Sequence, residues 1–438
     1  MRRFAIVFLV LFLQGPGTAV EVSLSDDAFH YIHNGINDQL YNEWWYFNGI
    51  SSDTQFLFCY LLSDPENITG LRRIQVLGML MDSPAVVAIH QSKGYGGDHN
   101  NPSFDIDQCS IMAENVSTYR IFGSARDVRS GLPVKWDLTY RAVSNPWFAT
   151  PAQVSVGHID GGWMKWLVYM PSARVTGTIT ANNQTRKINA SGYHDHNWGR
   201  WAFNDPQWNW AWVSRQEDGF SLAIGEVIGA DKKTFLGLNY AGKSIKFSGD
   251  QVKLAYADYV LDPITARTYP GTYNVLAKSN DYRLEMDIIV QKNVPLLMDY
   301  PKPLPSFIFF EQLSRFKGAL KSKGAADYSF DQMGNSRYTT HRQHPIYGKI
   351  NASDPQNITV AARNERTGQT KTAAIGSSAW FSIDADYADY LANGSSPWVA
   401  DGDEVSLIVQ DKTGMKETSM ITIDLKQDRQ EVNLSSNL

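Results

Sequence analysis

Gly192-Tyr193-His194-Asp195-His196-Asn197-Trp198-Gly199 is the stretch on which the reading of this chain turns. Read as a strand, it sends successive side chains to opposite faces. His194, His196 and Trp198 then share one face, and Tyr193, Asp195 and Asn197 share the other. Only one set can line a cavity directly. A pocket wall made of His196 and Trp198 requires Asp195 to point away and brace the strand, and the acid of such a site is then to be sought at Glu226 or Glu43. A second dense stretch, Glu43-Trp44-Trp45-Tyr46-Phe47, sets a carboxylate beside large aromatics far upstream. The two together predict an apolar, aromatic-walled site with few ionisable groups.

Outward from these stretches the pattern is that of strands. Trp44 to Leu62, Arg73 to His90, Tyr119 to Ser124, Val134 to Arg141 and Arg174 to Thr180 are rich in aromatic and branched residues and are broken by turn-forming residues, the texture of a barrel or sandwich. A second block repeats it, with strands expected at 208–214, 221–228, 234–240, 251–261, 271–277 and 282–291. Four prolines between Pro295 and Pro305 predict a linker or crossing loop. Ser306 to Lys323 places Phe307, Phe310, Leu313, Phe316 and Leu320 at helical spacing among basic residues. That spacing predicts an amphipathic helix over 306–323, covering a barrel or lying against a membrane surface. From Tyr347 the composition shifts to Thr, Ser, Asp and Asn, with short strands that predict a small Ig-like β-sandwich suited to spacing or cell-surface attachment.

The chain is therefore expected to be all-β. Its 438 residues exceed one ordinary core. Residues 1–19 read as a signal peptide, 20–200 as a first barrel, 201–345 as a second and 346–438 as the sandwich with a tail. The signal rests on Arg2 and Arg3 ahead of the apolar run Phe4 to Leu13 and the small residues Gly17 and Ala19. Eight Asn-X-Ser/Thr acceptors, at Asn67, Asn115, Asn183, Asn189, Asn351, Asn357, Asn393 and Asn433, fit a secreted or surface-exposed glycoprotein. A net charge of −5 with no clustered basic stretch excludes nucleic acid as the natural partner. Cys59 and Cys109 leave two outcomes open, one disulfide or two buried thiols.

The chemistry narrows by type. A His-X-His pair can bind a metal only with further ligands, and His30, His33, His90, His99 and His158 are scattered, so neither a metal nor a cofactor is expected. No Gly-X-Ser-X-Gly elbow and no phosphate loop is present. Acid-base chemistry remains: a carboxyl buried in an apolar pocket keeps its proton, which makes Glu43, Asp195 and Glu226 the candidate donors. Trp198, Trp201, Trp208, Trp210 and Trp212 crowd the same region. Each indole is ordinarily core filler, and each is also able to steady a desolvated cation by about 2 kcal/mol. Trp44, Trp45, Tyr46, Tyr193, His194 and Trp212 are the candidate substrate-binding residues.

The pairing of Glu43-Trp44-Trp45-Tyr46-Phe47 with Gly192 to Gly199 resembles the carotenoid 1,2-hydratase (hydroxyneurosporene synthase) and AttH-like family, over roughly residues 25 to 295. The resemblance implies two tandem lipocalin-like β-barrels with the active site around the two motifs. It also implies cofactor-free addition of water to an apolar polyene. His196 and Trp198 match the family's histidine and cation-steadying tryptophan. The family's Tyr-X-Asp meets Ile224-Gly225-Glu226 here, where Glu226 can replace the acid but Ile224 cannot replace the tyrosine. Cyclases that fold an apolar substrate, and carriers that only bind one, are the competing expectations.

Overall fold

The computed structural model describes residues 22–33, 40–150, 153–157, 159–202, 205–229, 231–299, 306–324, 326–342, 344–352, 354–373, 375–385, 397–414 and 416–434. The expected signal at 1–19, the acceptor Asn393 and residues 300–305 of the proline-rich stretch lie outside them. The architecture is all-β, built from barrel-like sheets.

In the first sheet a ring of strands returns to its start. Trp163–Ala181 pairs with Gln184–Arg200, followed by Tyr41–Ile50, Gln55–Ser63, Arg73–Leu80, Val86–Ser92, Thr118–Asp127 and Pro133–Ala142, which pairs with Trp163–Ala181 again. Closure leaves no unpaired edge in the ring. Its interior holds Trp45, Phe47, Phe58, Tyr60, Trp136, Tyr140 and Trp198.

The second sheet runs Lys243–Ser248, Lys232–Tyr240, Phe220–Ile228, Gln207–Arg215, Tyr328–Arg342, Ser306–Ser322, Tyr282–Met298, Thr272–Lys278 and Val252–Ala257. It curls far enough that Ile245 and Phe247 of one end strand and Val252 of the other share one core. The final stretch adds a three-stranded and a four-stranded sheet around Ile346, Val360, Phe381, Trp398 and Leu407.

A third apolar core lies between the barrels, where Trp44, Tyr46, Trp147, Trp166 and Tyr193 of the first meet Trp210, Trp212, Phe307 and Phe309 of the second. Strands at this seam are buried on both faces, so their sequences lose the alternation of a half-exposed sheet. That explains the expected helix over 306–323, which the structure replaces with the strand Ser306–Ser322. In its first half Phe307 and Phe309 face the other barrel while Ile308 and Phe310 are buried on the opposite side. In its second half Phe316 and Leu320 face the core while Arg315, Lys317 and Lys321 are exposed, a period of two. Membrane contact through an amphipathic helix loses its basis.

Pro295 likewise does not break the chain. It sits within Tyr282–Met298, in register with Phe310. Cys59 and Cys109 are both free thiols, and burial pushes them up to about 12 and about 11. Asn67, Asn115, Asn183, Asn189, Asn351 and Asn433 are exposed, and Asn357 is half-buried.

Candidate active site

The strand Gln184–Arg200 separates two environments. Tyr41–Ile50 lies beside it with Glu43 opposite Trp198, Trp45 opposite His196 and Phe47 opposite His194. Opposed residues share a face, so these six turn into the first barrel. Trp44, Tyr46, Tyr193, Asp195 and Asn197 turn outward, to the seam.

The inward face is a closed ionic cluster. His194 Nε2 lies 2.9 Å from Asp27 Oδ2, and His196 sits between Asp27 Oδ1 at 3.2 Å and Glu43 Oε1 at 3.0 Å. Glu43 also accepts the backbone N–H groups of His30 and Tyr31 and the Tyr41 hydroxyl. Rings stack over the imidazoles: Phe47 on His194 at 4.0 Å, Trp45 on His196 at 4.3 Å, and Trp198 on His30 at 3.9 Å. Burial opposes ionisation of Asp27 and Glu43, but the facing imidazoles and hydrogen bonds outweigh it and hold both carboxyls below their ordinary range. Burial also opposes protonation of His196, and its two carboxylate partners reverse that and raise it. His30 is shifted down, chiefly by burial.

The outward face lines a narrow cleft between the barrels, a cavity of about 50 Å³ that opens to solvent. Trp44, Tyr46, Trp166, Trp201, Trp208 and Trp210 form most of its wall. Gly225 lies against the Trp166 ring so closely that an added Cβ would fall 2.5 Å from it. The polar groups are few. Asp195, 4 % exposed, accepts the Tyr193 hydroxyl at 2.6 Å and the Trp166 indole N–H at 2.9 Å, both on Oδ2. Asn197 Nδ2 approaches Oδ1 at 3.2 Å. Burial pushes the Asp195 carboxyl up to about 6 against the opposing pull of those donors. Arg337, paired with Glu311, completes the polar lining next to Tyr46.

By sequence, no protein family and no curated protein matches the chain. Solved structures do. A protein of Nitrosomonas europaea described as a putative AttH aligns at a TM-score of 0.54 and 16% identity, over 74% of this chain and 98% of that one. The chain has the AttH-like lipocalin fold. Kievitone hydratase from Nectria haematococca aligns at a TM-score of 0.49 and 13% identity, over 74% and 97%. CghA with Sch210972 aligns at 0.48 and 11%, over 74% and 97%.

Within this AttH-like frame the residues singled out by sequence part into two sets. Trp44, Tyr46, Asp195 and Glu226 line the cleft. Tyr193 and Trp212 lie just behind it, Tyr193 holding Asp195 and the Trp212 indole N–H donating to the Pro171 carbonyl at 2.7 Å. His194, His196, Trp198, Trp45 and Glu43 belong to the first barrel's interior. The structure thus reverses the expected orientation: His196 and Trp198 turn away from the cleft, and Asp195 turns into it.

Glu43 and Glu226 stand in different surroundings from Asp195. Glu43 meets four hydrogen-bond partners, and they hold its carboxyl below the ordinary range, which disfavours the protonated form a donor needs. Glu226 reaches the lining from the far face of its strand. Its carboxylate is engaged by Asn209 Nδ2 at 3.0 Å, by the Tyr256 hydroxyl and by Lys232 Nζ at 2.5 Å. Sequence reading missed Asp27, Trp166, Glu311 and Arg337, and set His30 aside as one of the scattered histidines. Asp27 closes the single 3-10 turn Leu24–Asp27 and His30 stands in the irregular chain after it, both without a periodic signal, although His30, Glu43 and His196 present a ligand set close enough to hold a cation. Arg337 stands in a strand that was not foreseen, Tyr328–Arg342.

Proposed function

We propose that the inter-barrel cleft is the active site of a cofactor-independent enzyme that protonates an apolar, unsaturated small molecule, with Asp195 as the acid. The observation that carries this reading is a carboxyl, buried among indoles and raised to about 6, in the wall of the cleft. Oδ2 accepts two short hydrogen bonds, from Tyr193 and Trp166, and Oδ1 only the longer one from Asn197, so Oδ1 is the oxygen to carry the transferable proton. Transfer of that proton to one carbon of a C=C bond leaves a cation on the other. The rings of Trp44, Trp166, Trp208 and Trp210 face it at about 2 kcal/mol each when desolvated. Capture by water, with loss of a proton back to Asp195, gives the alcohol of a hydratase. Capture by a second double bond of the same substrate closes a ring and moves the cation to that bond's far carbon, and loss of a neighbouring proton back to Asp195 gives the cyclised alkene. The aromatic wall suits an isoprenoid or one end of a carotenoid. Secretion and glycosylation are proposed with it, on the leader and acceptor motifs.

The test is incubation with acyclic isoprenoids in heavy-oxygen water, with and without Asp195→Asn. Labelled alcohol, or unlabelled cyclised product, lost by about 10²–10⁴-fold in the variant is the expected result. A bound molecule recovered unchanged, with neither product, would make the protein a carrier instead.

A further inference from the structure

The mechanism above gives no work to the cation in the cleft wall. Arg337 lies in Tyr328–Arg342, in register with Trp210 on one side and Glu311 on the other, which turns it toward the first barrel. Its guanidinium rests 5.1 Å from the Tyr46 ring and 5.3 Å from the Phe309 ring. Nε and Nη2 both reach the same oxygen, Glu311 Oε1, at 2.6 and 2.5 Å. A guanidinium carries about five N–H donors, so a pair that engages one N–H from each of these nitrogens leaves about three.

Such a pair is costly where it stands. Glu311 is 2 % exposed, and burial pushes its carboxyl up even beside Arg337. Apolar residues of the same volume are commonly as stabilising as a buried ion pair, so packing alone does not account for it. A wall meant for bare hydrocarbon would have no use for unspent donors. Charge decides what they fit. Arg337 and Glu311 together are neutral, so a bound carboxylate would bury one surplus negative charge and compete with Glu311 for the guanidinium. An uncharged carbonyl oxygen accepts the same hydrogen bonds without that cost.

We infer that Arg337 anchors a carbonyl oxygen at one end of the ligand, so that the cleft takes an isoprenoid or polyene ketone, or a comparable carbonyl compound, in preference to a pure hydrocarbon. This rests on the cleft being the substrate site, as proposed above. Glu311 holds the guanidinium in place and is a positioning residue.

Quenching of intrinsic tryptophan fluorescence reads the binding, since Trp44, Trp166, Trp208 and Trp210 line the cleft. Farnesylacetone, a ketone on an isoprenoid tail, is compared with the hydrocarbon farnesene. The ketone is expected to bind about tenfold tighter, the value of a hydrogen bond to a charged group. Arg337→Met alone strands Glu311 in the seam, so it is combined with Glu311→Leu to remove both charges. The double variant is expected to bind the two probes equally. Equal affinities in the native protein, or a preference that survives in the double variant, would overturn the anchor and leave the cleft standing. No quenching by either probe would overturn the cleft itself, and the anchor with it.

Discussion

Asp195 and His196 are adjacent in the chain, yet their surroundings drive them to opposite ends of acid-base behaviour. Asp195 meets uncharged donors in an aromatic cleft, and desolvation prevails. His196 meets two carboxylates, which outweigh burial and favour its charged form. The Asp195 carboxyl moves from its ordinary 3.8 to about 6, so activity that needs its proton should fall as pH rises through about 6, read as the descending limb of kcat/KM. The same shift acts on stability. Below the ordinary value the group is protonated in both states, and above about 6 the fold bears a buried charge. Asp195→Asn should therefore gain about 2–3 kcal/mol on the native protein between pH 4 and pH 7.5 in urea titrations.

His196→Gln should act in the other direction. It leaves Asp27 and Glu43 without the imidazole between them, at a cost of about 3–5 kcal/mol in unfolding free energy from urea titration. The loss should be largest below the ordinary histidine value, where the stabilisation from a raised imidazole is fully present, and should fade as pH rises through the His196 value.

At the scale of elements, the cleft depends on how strands approach across the seam. Phe220–Ile228 brings Gly225 against Trp166, the ring whose N–H holds Asp195. Gly225→Ala places a methyl where that ring stands and should cost about 1–3 kcal/mol by overpacking. Displacing Trp166 removes a donor that stabilises the ionised carboxyl. The descending limb of the pH profile should accordingly move upward in this variant, an effect that a purely structural disturbance would not produce. The misread stretch 306–323 belongs to the same scale. Aromatics on both faces of Ser306–Ser322 imitate helical spacing, whereas Tyr41–Ile50 was legible because its run is too short and too aromatic for a helix.

Over the whole molecule, the C-terminal sheets are tied to the second barrel by Arg267, whose Nε lies 2.6 Å from Asp384 Oδ1, and by Ser378 and Ser382 donating to the carbonyls of Tyr259 and Ala266. Arg267 is 3 % exposed, so Asp384→Ala leaves a buried cation short of its partner. The expected cost is about 3–5 kcal/mol, and calorimetry should show the C-terminal unit melting ahead of the barrels.

The strand content and the paired aromatic motifs were legible in the chain, because alternation and residue type are local properties. So was the division of Gly192 to Gly199 into two faces. Which face meets the cleft was not. Alternation defines two sides of a strand but carries no sign, and the sign came from the second barrel packing Trp210 and Trp212 against Tyr193 while Asp27 and His30 closed over His196. Arg337, in register with Trp210 but 127 positions beyond it, entered the wall only through the pairing of strands distant in sequence.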